Sequence, residues 1–175
     1  MRQLLKWGII SIIALGIIST LDSKELSTIQ TVNTNTEKEE VAKVYKIGDK
    51  IQADKLTYKV EGAEVKDTVG EKYINKRAKG KYLILKVSIT NDDKKARVVD
   101  NSFFQLVDKD GIIYEPDGEA DLYVNNNDMF FFDEINPKIT KIGYIAFDLF
   151  DANADYDLNI TDGMLSETKA IINLN

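Results

Sequence analysis

Two residue types are missing outright from the 175 residues: cysteine and histidine. Without cysteine there is no disulfide frame, thiol nucleophile, iron–sulfur cluster or thiolate zinc site, and no lipid-modified N-terminal cysteine. Without histidine there is no Ser-His-Asp triad, imidazole metal ligand or imidazole proton shuttle. Proline is scarce, with two residues, and the ten glycines form neither GxxxxGK[ST] nor GxGxxG. Positive charge is the minority sign: 23 basic residues face 29 acidic ones, giving −6 and a pI near 4.8. That balance argues against binding nucleic acid or anionic lipid through bulk charge. What is present, 43% hydrophobic and 30% charged residues, is ordinary soluble composition for one domain.

Residues 1–21 read as an export segment. Arg2 and Lys6 precede an uncharged run, WGIISIIALGIISTL, from Trp7 to Leu21. As a helix these residues span about 22 Å, short of the hydrocarbon thickness and suited to a signal-peptide core or a retained N-terminal anchor. Ile17-Ile18-Ser19 is the nearest pattern to a cleavage site, and the basic flank places the remainder outside the cytoplasm. Without this segment, which carries Arg2, Lys6 and no acid, 21 basic residues face 29 acidic ones, or −8, and Trp7, the one tryptophan, is gone. Residues 22–45 are polar, without a sustained period, and read as a flexible linker. A short helix is possible around 37–43, where Glu39 and Lys43 form a favourable i,i+4 pair.

Residues 46–175 read as all-β. In Lys81–Thr90, Leu83, Leu85, Val87 and Ile89 fall on one face and Tyr82, Ile84, Lys86, Ser88 and Thr90 on the other, the pattern of a strand with a single buried side. Further strands are expected at Lys50–Ala53, Leu56–Val65 with a bulge at Gly62, Phe103–Leu106, Ile112–Tyr114, Ile139–Phe150, Tyr156–Ile160 and Lys169–Leu174. Asp108-Lys109-Asp110-Gly111 is a hairpin turn, since glycine supplies the positive φ such turns need. Seven to nine short strands with regular turn signals predict a two-sheet antiparallel immunoglobulin-like sandwich, preceded by the N-terminal hydrophobic export helix and the linker.

Four segments stand out chemically. The acidic stretch Glu115, Asp117, Glu119 and Asp121, with Asp128 beyond it, offers the oxygen ligands calcium prefers, although the spacing is not that of an EF-hand; a solvated loop is the plainer reading. A second acidic group, Asp148, Asp151, Asp155 and Asp157, has turn composition. Met129, Phe130, Phe131 and Phe132 form a run whose aromatics cannot all point inward from a strand, so part of it is a candidate protein-contact patch. The fourth is Lys72–Lys81, the only basic concentration in the folded part, which reads as a solvated loop or a contact for a polyanion. No pair of carboxylates among so many acids singles out a glycosidase, and no enzyme is expected.

Four segments taken together carry a resemblance: KIGDKI (46–51), GKYLILKVSITN (80–91), FQLVDKDG (104–111) with YEPD (114–117), and INP (135–137) leading into GYIAFD (143–148). Over residues 46–175 the chain resembles the immunoglobulin-like domain of unknown function found in exported proteins of Gram-positive bacteria and their phages, often mislabelled a telomeric repeat-binding factor. The resemblance implies export and a single sandwich. It brings no catalytic residues, and here the lipoprotein cysteine of many members is absent. The function expected is therefore an exported, non-enzymatic sandwich that binds a protein or cell-envelope component outside the cytoplasm, with no nucleic-acid partner, no cofactor and membrane contact only through residues 1–21 if that segment is uncleaved. The alternatives are a calcium-stabilised envelope module and a phage or mobile-element surface exclusion factor.

Overall fold

A computed structural model describes residues 43–161 and 168–174. The expected export segment lies outside them, as do the linker up to residue 42 and all but the last residue of the expected helix at 37–43. Val44 and Tyr45, at the end of the expected linker, already belong to a strand. In chain order the elements are β1 (Val44–Lys46), β2 (Ile51–Ala53), β3 (Leu56–Gly70), β4 (Asn75–Asn91), β5 (Arg97–Val98), β6 (Phe104–Asp108), β7 (Ile113–Tyr114), α1 (Ala120–Val124), β8 (Glu134–Ile135), β9 (Thr140–Leu149), β10 (Tyr156–Ile160) and β11 (Ala170–Asn173).

They form an all-β sandwich. One sheet runs β1-β11-β10-β6-β7, the other β2-β3-β4-β9, and β5-β8 make a short ribbon. The pairing is antiparallel except that β1 lies parallel to β11, so the expectation of a wholly antiparallel sandwich is corrected at this edge. Between the sheets, Leu83, Leu85, Val87 and Ile89 of β4 and Ile145, Phe147 and Leu149 of β9 meet Phe104 and Leu106 of β6 and Leu158 and Ile160 of β10. Burying each such side chain contributes about 1.5–3 kcal/mol relative to leaving it in water, and nothing covalent supplements that stabilisation here. The register between β3 and β4 shifts at Val60/Gly62, where the bulge was expected, and again at Lys66/Thr68. Gly111 takes φ +79 in the expected turn, and Asp108 Oδ1 accepts from the amides of Asp110 and Ile112.

Two expectations fail around β4. The first is that this strand has one buried side. Tyr82 and Ile84, on the opposite face, are buried as well, in a second cluster with Val69, Ala78, Ala120 and Ala146. The one-turn helix α1 provides this cover: Ala120 is fully buried, and Tyr123 and Val124 pack against the cluster. The second is that residues 72–81 form a loop. From Asn75 onward they belong to β4, paired to β3 through Thr68↔Arg77, Val69↔Lys76 and Gly70↔Asn75. The ladder to a partner strand decides this, and a run of Lys and Arg shows no hydrophobic alternation to reveal it.

Candidate functional site

At Leu149 β9 ends opposite Lys81, while β4 and β3 continue as a two-stranded arm. Two features fix the root of this arm. The Asp148 carboxylate accepts from the backbone amides of Lys79 at 2.8 Å and Gly80 at 3.0 Å. Gly80 itself passes so close to β9 that a Cβ there would stand 2.1 Å from the Leu149 carbonyl oxygen, so only glycine fits. Beside this crossing lies an open cleft of about 610 Å³, with Lys76, Arg77, Lys79, Asp117 and Phe150 among its walls.

The basic stretch and the acidic stretch meet in this cleft. Lys76 Nζ donates to both oxygens of Asp117 at 2.8 Å and to Glu119 Oε2 at 2.9 Å. The Tyr82 hydroxyl donates to Asp117 Oδ2 at 2.9 Å, and the Glu119 and Ala120 amides donate to Oδ1. Burial alone raises the Asp117 pKa, but the hydrogen bonds from Lys76 and Tyr82 outweigh it and hold the carboxyl below its ordinary value. Burial likewise lowers Lys76, and its bonds to Asp117 and Glu119 reverse the sign and raise it. Burial, then the bond to Asp117, push the Tyr82 hydroxyl well above its ordinary range, so it stays a donor.

The remaining acidic candidates go elsewhere. Asp121 is buried and accepts from the amides of Phe130 at 3.0 Å and Phe131 at 3.3 Å and from Asn125 Nδ2 at 2.8 Å. Desolvation is the largest influence on it and raises its pKa despite these bonds. Glu115 and Asp128 are exposed. Among the described residues no three acidic side chains come together as metal ligands. The calcium set Glu115, Asp117, Glu119, Asp121 and Asp128 is thus divided: the positive charge facing Asp117 and Glu119 is Lys76, and Asp121 faces backbone amides. The second acidic group is divided too. Asp148 braces the arm, Asp151 Oδ1 accepts from the Asn153 amide, and Asp157 accepts from Asn173.

The aromatic run is not on a strand, so alternation does not apply to it. Phe130 and Phe131 are both buried, which removes them from the expected contact patch, whereas Met129 and Phe132 are 46% and 57% exposed. Phe131 enters the main core beside Phe104, ring centroids 6.0 Å apart. Phe130 lies across β9 over Gly143, where a Cβ would be 2.2 Å from its ring. Lys141 closes the segment: Nζ donates to the Met129 carbonyl at 2.8 Å and to Asp133 Oδ2 at 2.6 Å, and stands 5.8 Å from the Phe130 ring centroid. Phe132 then turns out with φ +62, its amide donating to the Val99 carbonyl.

Sequence reasoning missed Asp148 as a brace, Tyr82 and Asn125 as polar partners, Lys141 as a clasp and Phe150 as a fully exposed aromatic. Only Phe150 had a signal, standing beside the acidic turn at the end of its strand.

Similarity to known proteins follows the same boundaries. The family model described as domain of unknown function (DUF4352) matches residues 45–171. The uncharacterized protein YxkC of Bacillus subtilis is 32% identical over 124 residues, covering 64% of this chain; the chain spans just under two thirds, 66%, of that protein's length. Among solved structures, the secreted protein MPT63 of Mycobacterium tuberculosis superposes with a TM-score of 0.57 at 17% identity, over 77% of this chain and 98% of that one. The yjhA protein of Bacillus subtilis gives 0.56 at 14% identity, over 75% and 99%. At these identities the structural neighbours show the sandwich fold alone. The match over residues 45–171, together with the Bacillus relative, shows that the chain belongs to the domain-of-unknown-function family DUF4352.

Proposed function

We propose that the chain is an exported, non-enzymatic module of immunoglobulin-like architecture that binds a protein of the cell envelope through Met129 and Phe132. Residues 1–21 support export from the sequence side, and a secreted protein stands among the structural neighbours. One observation carries the choice of surface. Phe132 is a bulky residue held at φ +62, a backbone region costly for it, and yet the residue is 57% exposed. The strain therefore presents an aromatic to solvent. Asp121, Asn125 and Lys141 hold the surrounding segment in place, which lowers the ordering cost of docking.

Phe132→Asn tests this reading, because asparagine tolerates the left-handed conformation and removes the ring. The variant keeps or gains stability in urea denaturation while losing its partner. The partner is sought with a photo-crosslinking phenylalanine at position 132 of the full chain, expressed in Bacillus subtilis, with the same label at Lys59 as reference. A discrete adduct on protease-accessible protein at 132, and none at 59, is the expected result. If position 132 yields no adduct, or if Phe132→Asn destabilises the domain, the ring is structural and the reading fails.

A further inference from the structure

We propose that a second cleft, beside α1 on the outer face of β3, β4 and β9, binds an uncharged pyranose sugar chain. The rings of Tyr123 and Tyr144 take its C–H faces, and their hydroxyls, with Asn126 and Thr68, take its hydroxyl groups. The cleft measures about 440 Å³, within the roughly 300–1,000 Å³ of small-molecule sites. Unused hydrogen-bonding capacity marks it as a binding surface. Among the described residues, no hydrogen bond engages the hydroxyls of Tyr123 and Tyr144, the Thr68 hydroxyl or the Asn126 amide. By contrast, the hydroxyls of Tyr82, Tyr114 and Tyr156 each donate within the protein, to Asp117, Asp108 and the Asp151 carbonyl. Tyr123 and Tyr144 are half-buried all the same, packed against the outer cluster, so their rings are fixed while their polar ends meet water.

Charge and shape specify the ligand. The charged groups lining the cleft are Glu64 and Lys66, one of each sign, and they pair with each other at 2.8 Å. The lining therefore carries no net charge, and an ionic ligand finds no counter-charge there. Every unengaged polar group in it both donates and accepts, as sugar hydroxyls do. A pyranose also offers an apolar C–H face to each tyrosine ring. The walls are held in advance of binding, which lowers the ordering cost. The Tyr123 ring rests against Gly70, where a Cβ would stand 3.1 Å from its Cδ1. The Asn125 side chain joins the loop after α1 to β9, accepting from the Tyr144 amide at 2.8 Å and donating to its carbonyl at 2.9 Å. Asn126 follows at φ +55, and the Asn127 amide closes the turn onto the Leu122 carbonyl.

The probes are chitotetraose and maltotetraose, an acetamido sugar and a plain hexose, each titrated into the full chain by calorimetry. An uncharged peptide, acetyl-Ala-Tyr-Ser-Ala-amide, is the comparator. At least one sugar is expected to bind with a Kd of about 1 mM or below. Its affinity is expected to stay within about twofold as salt is raised, because no ion pair forms. Tyr123→Phe with Tyr144→Phe keeps both rings and removes hydroxyls that bond to nothing in the protein. This double variant is expected to keep its urea midpoint and to bind the sugar at least about fivefold more weakly. Asn126→Gly, which accommodates the left-handed backbone and removes the amide, is expected to weaken binding as well. Tyr73→Phe, at a tyrosine 86% exposed outside the cleft, is expected to leave it unchanged. Failure of both sugars to bind at that level, undiminished binding by the double phenylalanine variant, a fall in that variant's stability, or tighter binding of the peptide than of either sugar would each overturn the proposal. None of these outcomes bears on the crosslinking at position 132, since the cleft includes neither Met129 nor Phe132.

Discussion

Gly143 and Asp121 illustrate how single residues set the outer surface of this domain. The ring of Phe130 occupies the space a side chain at 143 would need, so Gly143→Ala overpacks the site. It is expected to destabilise by about 1–3 kcal/mol in urea denaturation, and a smaller residue at 130 relieves part of that in a double-mutant cycle. Asp121 carries a pH signature. Its pKa in the folded protein is raised above the ordinary 3.8, chiefly by burial, so the folded state holds the proton more tightly than the unfolded chain. The stabilisation from that proton is complete below pH 3.8 and is lost as pH rises through the folded value. Asp121→Asn keeps an acceptor for the Phe130 and Phe131 amides and removes the titration. Stability against pH, measured for both proteins, is therefore expected to decline more steeply above pH 3.8 in the parent than in the variant.

Between elements, the decisive join is the one linking α1 and the segment before it to β4. Asp117 receives Lys76, Tyr82 and the first amides leading into α1, and Ala120 plugs the cluster beneath. Asp117→Ala leaves a half-buried ammonium with one carboxylate fewer and a buried hydroxyl without its acceptor, a loss of about 1–3 kcal/mol. Here the pH dependence has the opposite sign. Burial raises Asp117, but its bonds lower it further, so its folded-state pKa lies below 3.8. Its contribution is present above pH 3.8 and disappears as pH falls through the folded value. The stability gap between the parent and Asp117→Asn is expected to close in acid, as measured by denaturant titration from neutral pH downward.

On the scale of the whole molecule, β4 belongs to two cores. Its inner face fills the sandwich, and Tyr82 and Ile84 on its outer face fill the cluster under α1. A shared central strand couples the two, so the described domain is expected to unfold in one transition. Leu85→Ala on the inner face and Ile84→Ala on the outer face are each expected to cost about 2–5 kcal/mol. Each is expected to shift far-UV circular dichroism and tyrosine fluorescence together. A shift of only one probe for Ile84→Ala would show the outer cluster to be a separate unit.

The all-β character, most strand positions, the Gly62 bulge and the Asp-Gly turn were legible in the sequence, because each rests on a local rule: alternation across a pleat, or the positive φ that glycine permits. The inner core could be read from Leu83, Leu85, Val87 and Ile89 for the same reason. The candidate sites were legible only as composition. Residues 115–121 carry acids and residues 72–81 carry bases, but their mutual neutralisation depends on Lys76 lying 41 residues from Asp117 in the chain and 2.8 Å away in space. Nor does any local pattern tell that three consecutive phenylalanines turn inward, inward and outward: Gly143 makes room for one ring, the core takes another, and a left-handed backbone expels the third. Local residue patterns and composition were enough to set the class of fold and to exclude thiol and imidazole chemistry. Which basic side chains pair with which acids, and which aromatics face water, was settled by folding, since both depend on contacts between distant residues.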